Sequence, residues 1–363
     1  MSSVAWLESL SPWPEEFGLG RMRALLAELG EPQRAYRAIH VVGTNGKSTA
    51  TRRAAAFLIR EGLSAGAYTS PHVTGWSERI QVDGEDADLE RALERVREPA
   101  ERLGATQFEV LTAAALAEFE AARVDVAVVE AGLGGRLDAT NVLDAEVVAL
   151  TNVALDHTDV LGDTREAIAA EKLAVVAPGA TVVVGEAEWE SHVRARGAAG
   201  LVLAADVGRA AAEALLGRPL GGDVDVALPG RLEQVGDDVF AGAHNPAGVE
   251  WLLARLPRRD YVVLASILAD KDGGAMLRAL AAAGDTLVAT ASHSARALPA
   301  RELARLAAPH FGAVEAVADP VDALDRAREL AAGRPVLVTG SLYLLADLIV
   351  RLEHVPWVSS ASA

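Results

Sequence analysis

The sequence predicts an α/β fold in two domains, and three observations support this prediction. Short apolar runs of strand length alternate with helical stretches through most of the chain. The first strong run ends in a glycine turn followed by a helix start, and the alternation restarts after a turn at residues 228–231. We therefore expect a P-loop-type domain with an open, mostly parallel sheet at residues 1–229, and a smaller Rossmann-like α/β domain at 230–363. A chain of 363 residues is long enough for two cores.

In the first domain, the predicted elements follow from apolar runs, helical periodicity and glycine stops. Between residues 186 and 226 the pattern weakens, and it predicts one helix at 207–216 followed by a loop rich in Gly and Asp. Thr164 is the predicted cap of the last regular helix before that stretch. The other predicted strands are 38–42, 64–68, 79–82, 126–129, 147–150 and 181–184, and the other predicted helices are 20–29, 48–61, 88–103, 109–122 and 164–175.

In the second domain, the same reasoning predicts five strands with helices between them. The last residues, 359–363, are small and polar and are predicted to fray. The strands are 239–241, 261–265, 286–290, 314–317 and 336–339, and two of the helices are 248–256 and 299–308.

Composition excludes several classes of function. A net charge of -17 argues against nucleic acid or an anionic membrane as the partner, because both require a basic face. The absence of cysteine excludes disulfides, thiol nucleophiles and thiolate metal sites. The N-terminus lacks the pattern of a signal peptide, and no apolar run of about eighteen residues is free of charges. We expect a cytoplasmic protein without a membrane span.

The first strand leads into the run Gly43-Thr44-Asn45-Gly46-Lys47-Ser48-Thr49. Glycines allow close approach of backbone N–H groups, a helix N-terminus favours anions, and a lysine adds a full positive charge. A hydroxyl next to the lysine suits a phosphate-bound magnesium ion. Val41 replaces the first glycine of the usual P-loop pattern, so the loop is a shorter variant. The alternative, an ordinary strand-to-helix turn, explains the lysine and paired hydroxyls less well.

Other polar residues follow predicted strands. Ligands of open parallel sheets collect at the carboxyl ends of the strands, where Ser70, Glu130, Asp138 and His157 are expected to meet Lys47. Glu130 stands where a Walker-B acid would hold Mg²⁺, and His157 is a second candidate contact. Taken singly, each of these residues is more often a solvated loop residue.

The motifs together resemble those of a known family. GTNGK, YTSPH, FEVLTA, GLGGRLDATN, LDHT, LGDT, PGRLE, GAHNP, ADKD and GSLYL occur in this order between Gly18 and Leu348. This order resembles folylpolyglutamate synthase/dihydrofolate synthase of the Mur ligase superfamily. The resemblance implies an ATP-dependent ligase, acting as a monomer, that joins L-glutamate to the carboxylate of folate or dihydropteroate through an acyl phosphate. It also implies Mg²⁺ as the cofactor and ATP as the co-substrate.

The resemblance assigns roles residue by residue. Lys47, Lys172 and His244 are the implied catalytic residues, and Lys172 matches a lysine that is carbamylated in such ligases. Ser70, Glu130 and His157 are the implied magnesium positions. The implied ATP contacts are Gly43, Thr44, Asn45, Gly46, Lys47, Ser48, Thr49, Arg231 and Asn245, and the implied pterin contacts are Phe108, Glu109, Thr112, Leu137, Asp138 and Ala139.

The chain departs from the family pattern in ways that leave alternatives open. Ala241 stands where the family has aspartate before GAHNP, and the stretch 185–228 is shortened and lacks an ATP-contacting asparagine. We therefore expect weak ATP binding. One alternative is a Mur-superfamily amide ligase for a different acid or amino acid. Another is a non-catalytic paralogue that binds nucleotide or folate.

Overall fold

A computed structural model describes residues 1–14 and 16–352 of the chain, and the predicted tail at 359–363 lies outside the described residues. The backbone contacts divide the chain into two compact units. The first unit consists of Met1–Pro71 and Trp76–Val226, and the second consists of His72–Gly75 and the chain from Ala227 onward. Both units are α/β, which confirms the predicted fold class.

The first unit begins with helices and then alternates strands with helices. Its α-helices are α1 (Ser3–Ser9), α2 (Gly20–Glu28), α3 (Lys47–Arg60), α4 (Leu89–Leu103), α5 (Gln107–Ala122), α6 (Thr158–Leu161), α7 (Arg165–Lys172), α8 (Glu190–Ala195) and α9 (Val207–Leu216). Its strands are β1 (Arg37–Val42), β2 (Ala65–Tyr68), β3 (Ile80–Val82), β4 (Glu85–Asp86), β5 (Val126–Glu130), β6 (Val147–Leu150), β7 (Thr181–Val184) and β8 (Gly200–Leu203).

These eight strands form one sheet in the order β4-β3-β2-β5-β1-β6-β7-β8. The six strands from β2 to β8 in this order are parallel, while β3 and β4 add an antiparallel hairpin at one edge. The register pairs Val41 of β1 with Glu130 of β5, and Val42 with Leu150 of β6. The carboxyl ends of the three central strands therefore lie side by side.

The central strands are apolar because both faces of the sheet are covered. On β1, Ile39 and Val41 pack into one buried cluster with residues of α3 and α9. Ala38 and Val42 point to the other face and pack with residues of α7 and β7. A third cluster fills the space between α1, α2, α4 and α5.

Helix boundaries in the first unit follow from local capping. The Thr164 hydroxyl accepts a hydrogen bond from the Ala167 N–H at 3.2 Å, so the predicted cap of α7 is confirmed. Asp88 caps α4, and Gly104 ends that helix in the left-handed conformation that glycine adopts without strain.

The prediction for residues 186–226 was incomplete. The structure has the predicted helix α9, but it also has α8 and the edge strand β8. In β8, Val202 and Leu203 are 38% and 53% exposed, and Leu201 packs against the apolar cluster on the β7 side. None of the four residues of this edge strand is fully buried, so the strand lacks the alternation of buried and exposed positions that a sequence pattern could reveal.

The second unit contains strands β9 to β14 and helices α10 to α14. The strands are β9 (Glu233–Val235), β10 (Asp238–Ala241), β11 (Val262–Ala265), β12 (Thr286–Ala289), β13 (Ala313–Ala316) and β14 (Val336–Thr339). The helices are α10 (Pro246–Leu253), α11 (Gly273–Leu280), α12 (Ala300–Ala307), α13 (Pro320–Ala331) and α14 (Leu342–Leu352).

The sheet of the second unit has the order β13-β12-β11-β14-β10-β9, and β9 alone is antiparallel to its neighbour. Each of the five predicted strands is present. Two buried apolar clusters cover its faces. In neither unit does a described helix have the length and apolar character needed to cross a membrane.

Candidate active site

The turn between β1 and α3 has the backbone that a phosphate cradle requires. Gly43 has φ 148°, and a Cβ atom there would lie 1.9 Å from the hydroxyl oxygen of Thr151, so only glycine fits. Gly46 is left-handed, with φ 77°, and precedes the first residue of α3. No side chain caps α3, so the amides of its first turn are available to an anion.

Two residues after β6 hold this turn in place. The Thr151 hydroxyl donates to the Asn45 carbonyl at 2.7 Å, and the Asn152 carboxamide both accepts from the Asn45 N–H at 3.0 Å and donates to its carbonyl at 3.1 Å. The Thr44 N–H donates to the Asn152 carbonyl at 2.9 Å. Both residues directly follow the predicted strand 147–150, but neither is among the predicted site residues. Their position beside the glycine turn was the available signal.

Lys47, Glu130 and Ser70 lie together beside the cradle. Glu130, the last residue of β5, is 1% exposed, and its Oε1 atom lies 3.9 Å from Lys47 Nζ. Its Oε2 atom accepts a hydrogen bond from the Ser70 N–H at 3.1 Å. Lys47 also donates to the Thr44 carbonyl at 3.3 Å. The strand order explains this meeting, because β2 and β1 flank β5.

His157 comes directly before α6 and has φ 51°, a left-handed conformation. Its Nε2 atom lies 3.9 Å from Asp156 Oδ1, and its side chain is 32% exposed. Among residues 1–14 and 16–352, no three His, Asp or Glu side chains lie together in a group that could hold a metal ion by itself. A magnesium ion bound to phosphates uses only one or two carboxylates. The three magnesium positions therefore stay predictions. Ser70 would supply a hydroxyl, Glu130 a carboxylate and His157 an imidazole.

Lys172, at the end of α7, is not the surface lysine that its local sequence suggests. It is 4% exposed, and its Nζ atom donates to the Gly43 carbonyl at 2.8 Å. Burial, reinforced by the positive charge of Lys47, lowers the pKa of Lys172 to about 7, while Asp156 and Asp138 act in the opposite direction. Of the 363 residues, three are lysines, and Lys271 in the second unit also has a side chain only 4% exposed.

Three of the predicted pterin contacts, Phe108, Glu109 and Thr112, lie on α5 and differ in what they contact. The Glu109 carboxylate closes a capping box with Thr106 and accepts from Arg21 Nε at 2.7 Å, so its hydrogen bonds stabilise the start of α5. The Thr112 hydroxyl donates to the Phe108 carbonyl at 2.8 Å. The Phe108 ring covers Gly132, where a Cβ atom would lie 2.4 Å from the ring.

The other predicted pterin contacts, residues 137–139, lie in the loop after β5. Asp138 is 6% exposed, Ala139 is 8% exposed, and Leu137 is 45% exposed. Burial raises the pKa of Asp138, although its hydrogen bonds from Leu133 and Thr140 favour the ionised form.

In the second unit, the turn after β10 carries the remaining predicted residues. Asn245 is 1% exposed and caps α10 by accepting from the Gly248 N–H at 2.8 Å. His244 Nδ1 lies 3.0 Å from the Gly242 carbonyl, so this nitrogen carries the proton. The Arg231 guanidinium lies beside Gly242, since a Cβ atom there would be 3.3 Å from it. Ala241 is 4% exposed and packs into an apolar cluster.

Comparisons with known proteins show the family of this chain. The Mur ligase middle domain matches residues 41–208, and the Mur ligase glutamate ligase domain matches residues 230–342. A folylpolyglutamate synthase of Lacticaseibacillus casei is 34% identical over 415 aligned residues, which cover 94% of this chain and 96% of the relative.

Two solved structures share the fold. A Mycobacterium tuberculosis folylpolyglutamate synthase complexed with ADP superposes with a TM-score of 0.88 at 30% identity, covering 96% of this chain and 97% of the other. A bifunctional folylpolyglutamate synthase/dihydrofolate synthase of Yersinia pestis, complexed with AMPPNP and a Mn ion, has a TM-score of 0.84 at 29% identity and covers 97% and 98%. The chain therefore belongs to the folylpolyglutamate synthase/dihydrofolate synthase family of Mur ligases.

Proposed function

We propose that this protein uses ATP to join L-glutamate to the carboxylate of a folate or of dihydropteroate. The observation that carries the proposal is the phosphate cradle, with its uncapped helix, its lysine and its buried glutamate, in a chain of this family. ATP is bound by residues 43–49 in the first unit. We assign glutamate handling to the domain at 230–363, because the glutamate ligase domain matches within it.

The proposed reaction has two steps. A carboxylate oxygen of the acceptor attacks the γ-phosphorus of ATP, ADP leaves, and an acyl phosphate forms. The glutamate nitrogen then attacks the acyl carbon, loses a proton, and expels phosphate as the amide forms. Negative charge accumulates on the transferred phosphoryl group, where Lys47 and the first amides of α3 are placed to offset it. His244 and Asn245 are the second unit's proposed contribution.

The residues present fit a divalent magnesium ion. Glu130 is a buried carboxylate at a strand end beside the cradle, and Mg²⁺ prefers oxygen ligands. Glu130, Ser70 and His157 are the residues that would hold the ion. When bound, it would neutralise charge on the ATP phosphates. Glu130 also contacts Lys47 and the Ser70 N–H, and these contacts orient both groups towards the same edge of the sheet.

We assign the carbamylated position to Lys172. A neutral lysine amine reacts with CO₂, and burial has brought the pKa of this side chain to about 7. The added carboxylate would place a further oxygen ligand beside Gly43. We also infer that the protein works as a monomer in the cytoplasm, in keeping with its lack of cysteine and its acidic composition.

Phosphate release by purified protein tests the proposed function. The assay contains ATP, Mg²⁺, a panel of amino acids, and either dihydropteroate or tetrahydrofolate as acceptor. We expect release to require both glutamate and a pterin acceptor. We expect Lys47→Ala to abolish it in a protein that still folds, and a melting curve of the variant checks the folding. Lys271→Ala tests whether loss of a lysine in the second unit has the same effect.

Three results would count against the proposal. Turnover with another amino acid would indicate a different amide ligase of the superfamily. ATP or folate binding without turnover would indicate a non-catalytic paralogue. Full activity of well-folded Lys47→Ala would remove the phosphate cradle from the mechanism.

A further inference from the structure

His40 lies in the middle of the central strand β1, among apolar residues. It is 1% exposed, and burial lowers the pKa of its imidazole to about 4, so the ring is neutral at physiological pH. A buried polar group normally has a hydrogen-bond partner. The partner here is distant in sequence: His40 Nε2 lies 2.8 Å from the hydroxyl oxygen of Thr140.

Thr140 in turn forms hydrogen bonds with Asp138. The Thr140 hydroxyl donates to Asp138 Oδ1 at 2.5 Å, and the Thr140 N–H donates to the same oxygen at 3.0 Å. An ionised carboxylate only accepts, and a hydroxyl has one hydrogen. With the Asp138 carboxylate ionised, Thr140 gives its hydrogen to Asp138, and His40 then donates from Nε2. The hydrogen bonds thus run in one direction, from His40 to Thr140 and from Thr140 to Asp138. We call these three residues the donor chain.

The hydrogen bonds to Asp138 determine which acceptor sites of its carboxylate are left for a ligand. Each carboxylate oxygen has two acceptor sites. Both sites of Oδ1 are taken by Thr140, and one site of Oδ2 is taken by the Leu133 N–H at 2.7 Å. One acceptor site remains, on Oδ2. Its direction depends on the rotation of the carboxylate, which the hydrogen bonds from Leu133 and Thr140 hold.

We propose that His40 is a positioning residue for the acceptor site: through Thr140 it sets the orientation of the Asp138 carboxylate and hence the binding of the pterin acceptor. The inference rests on the proposed function and on the pterin contact that the family resemblance implies for Asp138. His40 itself touches neither substrate nor reacting atoms in this scheme.

The test compares matched variants by the KM for the acceptor, the KM for ATP, kcat and the melting temperature. His40→Leu and Thr140→Val remove the donor chain, whereas His40→Gln keeps an N–H donor near the imidazole Nε2 position. Thr51→Val is the matched control, because Thr51 is fully buried and its hydroxyl has no hydrogen-bond partner.

We expect His40→Leu and Thr140→Val to raise the KM for the acceptor about ten- to a hundredfold, the effect of misplacing one hydrogen bond to a charged group. The KM for ATP should stay within about twofold of wild type in the same variants. His40→Gln should restore acceptor binding, and Thr51→Val should leave it unchanged. Equal rises in both KM values, or no rescue by His40→Gln, would overturn the proposal and leave a purely structural histidine.

Amide hydrogen exchange separates failure of this inference from failure of the proposed function. If wild type turns over no pterin acceptor, the proposed function fails, and the donor chain can still be tested. The Leu133 and Thr140 amides should exchange faster in His40→Leu than in wild type and at the wild-type rate in His40→Gln. Unchanged exchange in His40→Leu would show that His40 does not hold Asp138. If His40→Leu does not fold, Thr140→Val and His40→Gln decide the question.

Discussion

The buried amine of Lys172 makes the stability of the first unit depend on pH in a calculable way. In the unfolded chain this lysine has a pKa of 10.5, and in the folded unit burial lowers the pKa to about 7. Between these values the unfolded chain binds more protons than the folded one. Stability therefore rises as pH increases from about 7 to about 10.5 and is lowest below pH 7.

The magnitude follows from the two pKa values. One pKa unit corresponds to about 1.4 kcal/mol, so burial of Lys172 costs about 5 kcal/mol near pH 6 and about 2 kcal/mol near pH 9. Lys172→Met keeps the length of the side chain and removes the titration. The advantage of this variant over wild type should therefore shrink by about 3 kcal/mol between these two pH values.

The assay is urea unfolding of wild type and Lys172→Met at several pH values, followed by tryptophan fluorescence. Trp6 and Trp189 are 3% and 2% exposed in the first unit and report its unfolding. Lys271→Met, in the second unit, should leave the pH dependence of this signal unchanged. A difference between wild type and Lys172→Met that is constant with pH would refute the reasoning.

The same titration controls the reaction of Lys172 with CO₂, which requires the neutral amine. Protein incubated with ¹³C-labelled bicarbonate should show a carbamate NMR signal that grows as pH rises through 7 and is missing from Lys172→Met. A signal of equal size in that variant would place the carbamate elsewhere.

Two further substitutions test the nucleotide site. Gly43→Ala should lower the melting temperature more than Gly30→Ala. Both substitutions force alanine to a positive φ, but only Gly43→Ala puts a Cβ atom 1.9 Å from the Thr151 hydroxyl oxygen. Gly43→Ala should also raise the KM for ATP, and equal melting temperatures for the two variants would contradict the steric argument. Ala241→Asp should tighten ATP binding about ten- to a hundredfold, as a new charged hydrogen bond would, while lowering the stability of the apolar cluster around it. Calorimetric titration with ATP checks this second prediction, and unchanged affinity would show that the missing carboxylate has no role.

The sequence predicted well what depends on neighbours in the chain. The turn from Gly43 to Gly46 and the start of α3 at Lys47 follow from a strand, a glycine turn and a helix former in succession. The family resemblance, which rests on motifs spread along the sequence, is confirmed along most of the chain.

The sequence could not predict contacts that depend on distant parts of the chain. His40 appeared as one position of an apolar strand, and its partner Thr140 lies 100 residues away. The local sequence around Lys172 is that of a surface helix, and only the family resemblance pointed to a site residue there; its hydrogen bond to the Gly43 carbonyl joins positions 129 residues apart. The cap formed by Thr106 and Glu109 had a local signal, a threonine followed three residues later by glutamate, but its tie to Arg21 did not.

The scarcity of lysine has a practical consequence for handling the protein. In most proteins, amine-reactive dyes, cross-linkers and sensor chips attach to many surface lysines without touching the function. Here the three lysine side chains are largely shielded, and the most exposed of them, Lys47 at 16%, belongs to the phosphate cradle. Under the proposed function, side-chain amine coupling would thus react mainly at the proposed ATP site, and protection by ATP would measure how much of that site is occupied. Arginine, which outnumbers lysine 31 to 3, keeps the surface charged without offering such reagents a target.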